Sequence, residues 1–414
     1  MIIDQILIEY WSRLQSANFC ILLSKPFTDV QSVKIHLRDS QIYLSYNSSE
    51  LCQMQTITID LTKFFNIKTH SLSLLMIKTN YLSFRINTTN TLNNFDEELL
   101  RRPVELNGNC KRKVSKPNVL PKELIQLICS NCTAPLTKLM SFQRVLELPS
   151  ENLDVSDWFC HKTHDTAEED TKFNFTKFEP RTMDLLYGQQ FFILLNAEHL
   201  QNLKTKCDSI HCKRCLQYVG DNIPKKKSMK LWNENVKVQH DTNVKPLFGS
   251  QRTSILDHFR TIIEQIIYDY NFLVSTPQNG MSQSMKILLE CGNNRKSEKY
   301  LFIQIMNKNL VMLKKENENH EACMKQDSIV NLIKVTGHKV LFHVENLETK
   351  KETNTAGTKS ALVDFWQNDP SVSHSQISQK MFDCAVDNLH ENSKLVPECY
   401  RSCNGGFLLS YVFH

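Results

Sequence analysis

Residues 33–47 read VKIHLRDSQIYLSYN, and residues 55–61 and 82–88 read QTITIDL and LSFRINT. Apolar and polar side chains alternate in each with a period of two, the mark of a strand with one face buried and one in water. Ser, Asn and Asp rather than Gly occupy the turns between them, and such side chains bend the backbone by bonding to it locally. Residues 1–105 are therefore expected to form an antiparallel β-rich domain, introduced by a helix over about residues 3–15. The polar stretch 88–122, with Pro103, Gly108, Pro117 and Pro121, reads as a linker.

Outward from this region the pattern changes. Residues 124–221 open with LICSNCTAPL (127–136) and close with HCKRCLQYVGD (211–221), with the strand-like GQQFFILLNAEHL (188–200) between. Residues 222–250 are polar, carry Pro224, a lysine run and Pro246, and read as a second linker or a long irregular loop. Residues 251–414 read as an α+β domain. Ser254 followed by Asp257 makes a capping-box-like start. Ile255, Leu256, Phe259, Ile262, Ile263, Ile266, Ile267 and Tyr270 then recur at helical spacing. Strands are expected at KILLEC (286–291), KYLFIQIM (299–306), LVMLKK (310–315), SIVNLIKV (328–335) and HKVLFHVE (338–345). Two short helices are expected near 359–368 and 376–390, and a terminal strand in FLLSYVFH (407–414). The fold class is thus α+β in three parts: the β-rich domain, a zinc-knuckle segment and a C-terminal α+β domain.

The two CxxC pairs carry the strongest chemistry. Cys129 and Cys132, and Cys212 and Cys215, each present two thiolates from a tight turn, and two such turns complete a tetrahedral four-sulfur site suited to zinc. A closed site of this kind is structural, because no coordination position remains for water or substrate. Between Cys132 and Cys212 lie 79 residues, so the middle segment is an insertion between the knuckles. Cys160 and His161, in WFCH (158–161), are the alternative ligands: either replaces one of the four cysteines, or builds a second site with Cys207 or His211; the competing reading packs Trp158 and Cys160 in the core and leaves the histidines on the surface.

The 414 residues suggest about three domains. With 41% apolar and 22% charged residues, wholesale disorder is excluded. A net charge of +5 is too small to diagnose direct nucleic-acid binding. The N-terminal MIIDQILIEYW lacks a basic start and a cleavage site, and no apolar run reaches about 18 residues, so neither a secretory signal nor a membrane partner is expected. Fourteen cysteines without a signal are expected to be mostly reduced thiols. The expected location is the cytoplasm, and also the nucleus if Lys111–Lys113 or Lys225–Lys227 act as import signals. No Walker, dinucleotide, nucleophile-elbow or metalloprotease motif occurs.

The first CxxC, RVLELPSENLDVSDWFCH (144–161), GQQFFILLN (188–196) and CKRCLQYVGD (212–221) occur in that order. Together they resemble the HECT-like ubiquitin-conjugating-enzyme-binding family, over roughly residues 125–221. The resemblance implies a ubiquitin ligase that binds a ubiquitin-conjugating enzyme and accepts ubiquitin on a cysteine near its C-terminus. It also implies, as partners, a protein substrate such as a cyclin and the endonuclease of messenger-RNA cleavage and polyadenylation. Cys384 in KMFDCAVDNL (380–389) is the first candidate acceptor, with Cys399 and Cys403 in PECYRSCNGG (397–406) behind it. The sequence departs from a full HECT lobe: Asp383 rather than Thr precedes the cysteine and the Leu-Pro is missing. Met381, Phe382, Ala385, Val386 and Leu389 also mark an amphipathic helix into whose edge Cys384 could pack. The second reading is therefore a non-catalytic zinc-stabilised adaptor or chaperone.

Overall fold

A computed structural model describes residues 3–27, 29–47, 54–91, 116–148, 181, 183–195, 199–206, 208–223, 227–249, 254–274, 285–294, 297–316, 328–348 and 360–414. Two units result, each assembled from separated segments: Met1–Cys110 with Ile303–His343 and Asp387–His414, and Lys111–Phe302 with Val344–Val386.

The first unit holds β1 (Ile3–Trp11), β2 (Ser16–Leu23), β3 (Lys34–Arg38), β4 (Gln41–Asn47), β5 (Met54–Asp60), β6 (Phe65–Ile67), β7 (Ser73–Lys78) and β8 (Tyr81–Thr91), of which β3, β4, β5 and β8 follow the alternating stretches of sequence. Strands β1, β2 and β8 pair antiparallel, with Leu7 opposite Cys20 and Cys20 opposite Ser83. Residues 311–314 pair on the free edge of β1. A second sheet runs β3–β4–β5 and gains Ser328–Val330, parallel to β5. Ile6, Ile8, Phe19, Ile21 and Phe84 from the first sheet meet Ile42, Leu44, Ile57 and Ile59 from the second in one core.

The opposite face of β1 is also covered: Leu7 packs with Leu310, Met312, Val396 and Tyr411. This corrects the expected helix over residues 3–15, which is the strand β1 followed by a single 3₁₀ turn, Ser12–Leu14. A strand buried on both faces has no alternation, and a short apolar run does not by itself distinguish strand from helix. Glu9 sits in that second face, 4% exposed, where its carboxylate accepts from Lys339 Nζ at 2.7 Å and Tyr411 OH at 2.6 Å. The terminal strand Leu408–Phe413 pairs antiparallel with residues 337–342, so the chain end is held as its sequence suggests. A Cβ on Gly337 would lie 2.5 Å from the Val412 carbonyl oxygen, so glycine is required there.

The second unit holds a seven-stranded sheet in the order 144–147, 184–187, 191–195, 228–232, 218–222, 209–212, 203–206. A four-stranded sheet runs Met140–Ser141, Leu124–Cys129, Val236–His240, Asn243–Pro246. Their apolar faces share a core that includes Ile125, Leu127, Phe142, Phe192, Leu231 and Val238. Residues 222–250 are thus no linker: they contribute three strands. Each is too short for its periodicity to stand out, and Val236 and Val238 gain their inward position from pairing with the distant Leu124–Cys129 strand.

The helix Ile255–Val274 begins where the capping box places it. Ser254 N donates to Asp257 Oδ2 at 2.9 Å, and Asp257 N to Ser254 Oγ at 3.1 Å. The two shorter helices are Ala361–Asn368 and Gln379–Ser393. The expected strand pairs 299–306 with 310–315 and 328–335 with 338–345 merge into long ribbons, Ser297–Lys315 and Leu332–Glu348, with Ser328–Val330 apart. No described helix is long and apolar enough to cross a membrane.

Candidate metal centre

The strand Leu124–Cys129 delivers Cys129 to its end, where the chain must turn. Thr133 N donates to the Cys129 carbonyl at 3.0 Å, and Cys129 N to the Ala134 carbonyl at 2.8 Å. The strand Ser209–Cys212 ends in the same way: Leu216 N donates to the Cys212 carbonyl at 2.9 Å, and Cys212 N to the Gln217 carbonyl at 2.9 Å. The fourth residue after each leading cysteine takes left-handed backbone, Thr133 at φ 57° and Leu216 at φ 59°. Two segments with different sequences therefore build one knuckle geometry twice. Ser130 N donates to the Asn235 carbonyl at 3.0 Å, so the polar stretch after the second knuckle braces the first. Behind the second knuckle, a Cβ on Gly220 would come within 2.0 Å of the Lys230 carbonyl oxygen, so that position accepts only glycine.

The two knuckles face each other. Cys129 Sγ lies 3.7 Å from Cys215 Sγ, and Cys132 Sγ 3.7 Å from Cys212 Sγ. All four sulfurs lie within 4.8 Å of one another. A disulfide would hold its sulfurs at about 2.0 Å, and all four cysteines are free thiols. A tetrahedral zinc with Zn–S near 2.3 Å sets sulfurs about 3.8 Å apart, so the spacing and the all-sulfur donor set suit that ion. Cys129 and Cys212 are buried, and Cys132 and Cys215 half-buried.

The thiols do not share one environment. Burial pushes Cys129 up to about 12. At Cys215 burial also acts upward, but hydrogen bonds from the Gln217 backbone and from the Cys132, Asn131 and Cys129 side chains outweigh it and bring the thiol to about 7. Sulfurs this close cannot all ionise on their own charge; a divalent cation, if bound, would supply the compensation.

Of the remaining sequence candidates, Cys160 and His161 lie outside the described residues, as does Cys207. His211 turns its ring against Tyr218, with centroids 5.7 Å apart. Cys384 is half-buried on the helix Gln379–Ser393, outside the four-sulfur cluster. Met381, Phe382, Ala385 and Leu389 of that helix are buried, and Asp383 meets Lys299 Nζ at 3.5 Å. Cys399 is exposed and Cys403 half-buried.

Sequence reading missed the Glu9–Lys339–Tyr411 cluster. Its one local signal is a glutamate among the inward positions of an apolar strand; its partners are 330 and 402 residues away. The chain matches the family model described as HECT-like ubiquitin-conjugating enzyme (E2)-binding over residues 9–408. No curated protein and no solved structure is significantly similar to it.

Proposed function

The chain belongs to the HECT-like ubiquitin-conjugating-enzyme-binding family, and from that premise we propose that it is a ubiquitin ligase. The observation that carries the reading is a family match across nearly the whole chain rather than one motif. On this reading the protein binds a conjugating enzyme charged with ubiquitin. A cysteine thiolate of the chain attacks the thioester carbonyl, a new thioester forms, and the conjugating enzyme leaves as its thiolate. An amine of a protein substrate, or of the chain itself, then takes the ubiquitin as an amide. Cys384, which the resemblance marks, carries the role if the edge of its helix opens; Cys399 is the more accessible thiol.

Cys129, Cys132, Cys212 and Cys215 would hold a zinc ion. When bound, the ion would offset half of the charge of four thiolates and tie two strand ends together. Its task is structural: with four sulfur donors no position remains for substrate. A cyclin-type substrate, the endonuclease of messenger-RNA 3′-end processing and a cytoplasmic and nuclear location belong to the same proposal by resemblance alone.

The experiment is a single-turnover transfer. Conjugating enzyme preloaded with ubiquitin is mixed with the purified chain, and products are resolved with and without reductant. The expected result is a reductant-sensitive adduct that disappears in Cys384→Ala and persists in Cys403→Ala. An adduct lost only in Cys399→Ala moves the acceptor. No adduct with any conjugating enzyme, while zinc is bound and the fold intact, gives the adaptor or chaperone reading instead.

A further inference from the structure

In the first unit, the segment Lys394–Arg401 passes over the second face of the β1–β2–β8 sheet and leaves a cavity of about 500 Å³ beneath it. Gln5, Cys20 and Tyr81 form its floor, and Lys78, Lys394 and Arg401 stand around it, with Glu398 the one acidic lining residue. That volume falls in the range of ligand sites.

Three observations define what fits. Gln5 Oε1, at the floor, is buried and has no hydrogen-bond partner among the described residues, so the floor carries an unsatisfied acceptor. Three cations against one carboxylate favour an anionic group. Arg401 already donates through Nη2 to the Val396 carbonyl at 3.0 Å, which holds the roof in place, and among the described residues Lys394 pairs with the exposed Glu391, a contact that is cheap to exchange.

Beside the cavity the surface is apolar. Leu74 is 75% exposed, Leu75 47% and Tyr400 44%. Leu74 adopts left-handed backbone, φ 51°, costly for a leucine. Tyr400 bridges this patch to the cavity: its hydroxyl lies 3.2 Å from Met76 Sδ and its ring 6.4 Å from that of Tyr81. Among the described residues β7 pairs with β8 alone, so its outer edge is open to an added strand.

We propose that this cavity and the adjoining β7 edge bind an extended acidic peptide segment of a partner protein. Its carboxylate lies among Lys78, Lys394 and Arg401, and its apolar side chains cover Leu74 and Leu75. A free dicarboxylate would satisfy the cations and leave both leucines in water, which is why a peptide is the occupant. Peptide binding here needs neither thiol chemistry nor the metal centre, although Cys399, one of the candidate acceptors, lines the cavity.

Fluorescence anisotropy on the full chain tests it with three labelled octapeptides of alternating leucine and glutamate, leucine and glutamine, or leucine and lysine, and with glutarate as unlabelled competitor. The acidic peptide should bind at least tenfold tighter than the lysine peptide and slow alkylation of the exposed cavity residue Cys399. Lys78→Glu should weaken it at least tenfold and Leu74→Asp several-fold, while Lys63→Glu leaves it unchanged. All three altered residues are exposed, and circular dichroism checks that the variants fold. Equal binding of all three peptides overturns the proposal, as does insensitivity to Lys78→Glu. Displacement by glutarate as effective as by unlabelled acidic peptide overturns the peptide assignment.

Discussion

Each unit buries a polar cluster drawn from remote parts of the chain, and the two clusters balance their charge differently. In the first unit Glu9 meets Lys339 Nζ at 2.7 Å and Tyr411 OH at 2.6 Å, anion against cation within one polypeptide. In the second, Cys129, Cys132, Cys212 and Cys215 assemble four like groups. The first cluster pairs its charges within the chain; the second is a donor set that could hold a metal ion. The difference teaches that the first unit's stability belongs to the chain, while on the zinc proposal the second's belongs to the chain plus its metal supply.

The sharpest way to break the comparison is Cys129→Ser. Metal binding at such a site is folding free energy, so the second unit should lose on the order of 5 kcal/mol or more along with its zinc, measured by thermal unfolding and elemental analysis. A chelator should act on the wild-type chain in the same sense. A variant with unchanged zinc and melting would place the ion elsewhere or nowhere.

Glu9→Ala tests the other cluster. It leaves the Lys339 ammonium and the Tyr411 hydroxyl without their acceptor, and removal of one partner from a buried pair costs about 3 kcal/mol. Lys339→Met added to Glu9→Gln should recover part of the loss, read by denaturant unfolding, and chelator should change neither result.

Gly220→Ala comes next. Its Cβ would sit 2.0 Å from the Lys230 carbonyl oxygen, and separating strand 218–222, which follows the second knuckle, from 228–232 should cost about 2 kcal/mol, with weaker zinc retention as the second readout. Unaltered stability would mean that the strands behind that knuckle yield easily.

Asp221, in the same strand, gives the pH arm. Burial pushes its carboxyl up to about 6, against the opposing hydrogen bond from Tyr218 OH at 2.5 Å. The folded chain therefore holds this proton more tightly than the unfolded chain, whose carboxyl titrates near 4. The stabilisation is full below about pH 4 and fades as pH rises through about 6, on the order of 2 kcal/mol in all. Asp221→Asn should flatten the stability profile across that window; an unchanged slope there would contradict the assignment.

The smallest effect compares the knuckles themselves. Leu216→Gly relieves a left-handed leucine and should stabilise by about 1 kcal/mol or less. Thr133→Gly should do the same at the first knuckle, and unequal gains would show which turn is held under more strain.

Much of this was legible in the chain. The strands at 34–38, 41–47 and 54–60 follow from strict alternation, because one buried face writes a period of two into the sequence. The Ser254 cap was legible because its bonds span three residues. The four metal-ligand candidates stood out because each CxxC is local, and the structure brings those four together. Strand β1 was misread because both its faces are covered, and Val236–His240 because its partner strand lies over a hundred residues earlier. The cavity under Lys394–Arg401 left no trace, since its floor and roof come from opposite ends of the chain.

By itself, then, the sequence determined the local events: which residues alternate, where a helix is capped, which cysteines come in pairs. Only the tertiary structure decided that the two CxxC turns meet at 3.7 Å, that Glu9 finds Lys339, and that Gln5 faces Lys394–Arg401 across a cavity. The physical reason is that period, capping and turn chemistry act over a few residues. Contacts between remote segments are selected by the whole core as it closes, and they write no period into the chain.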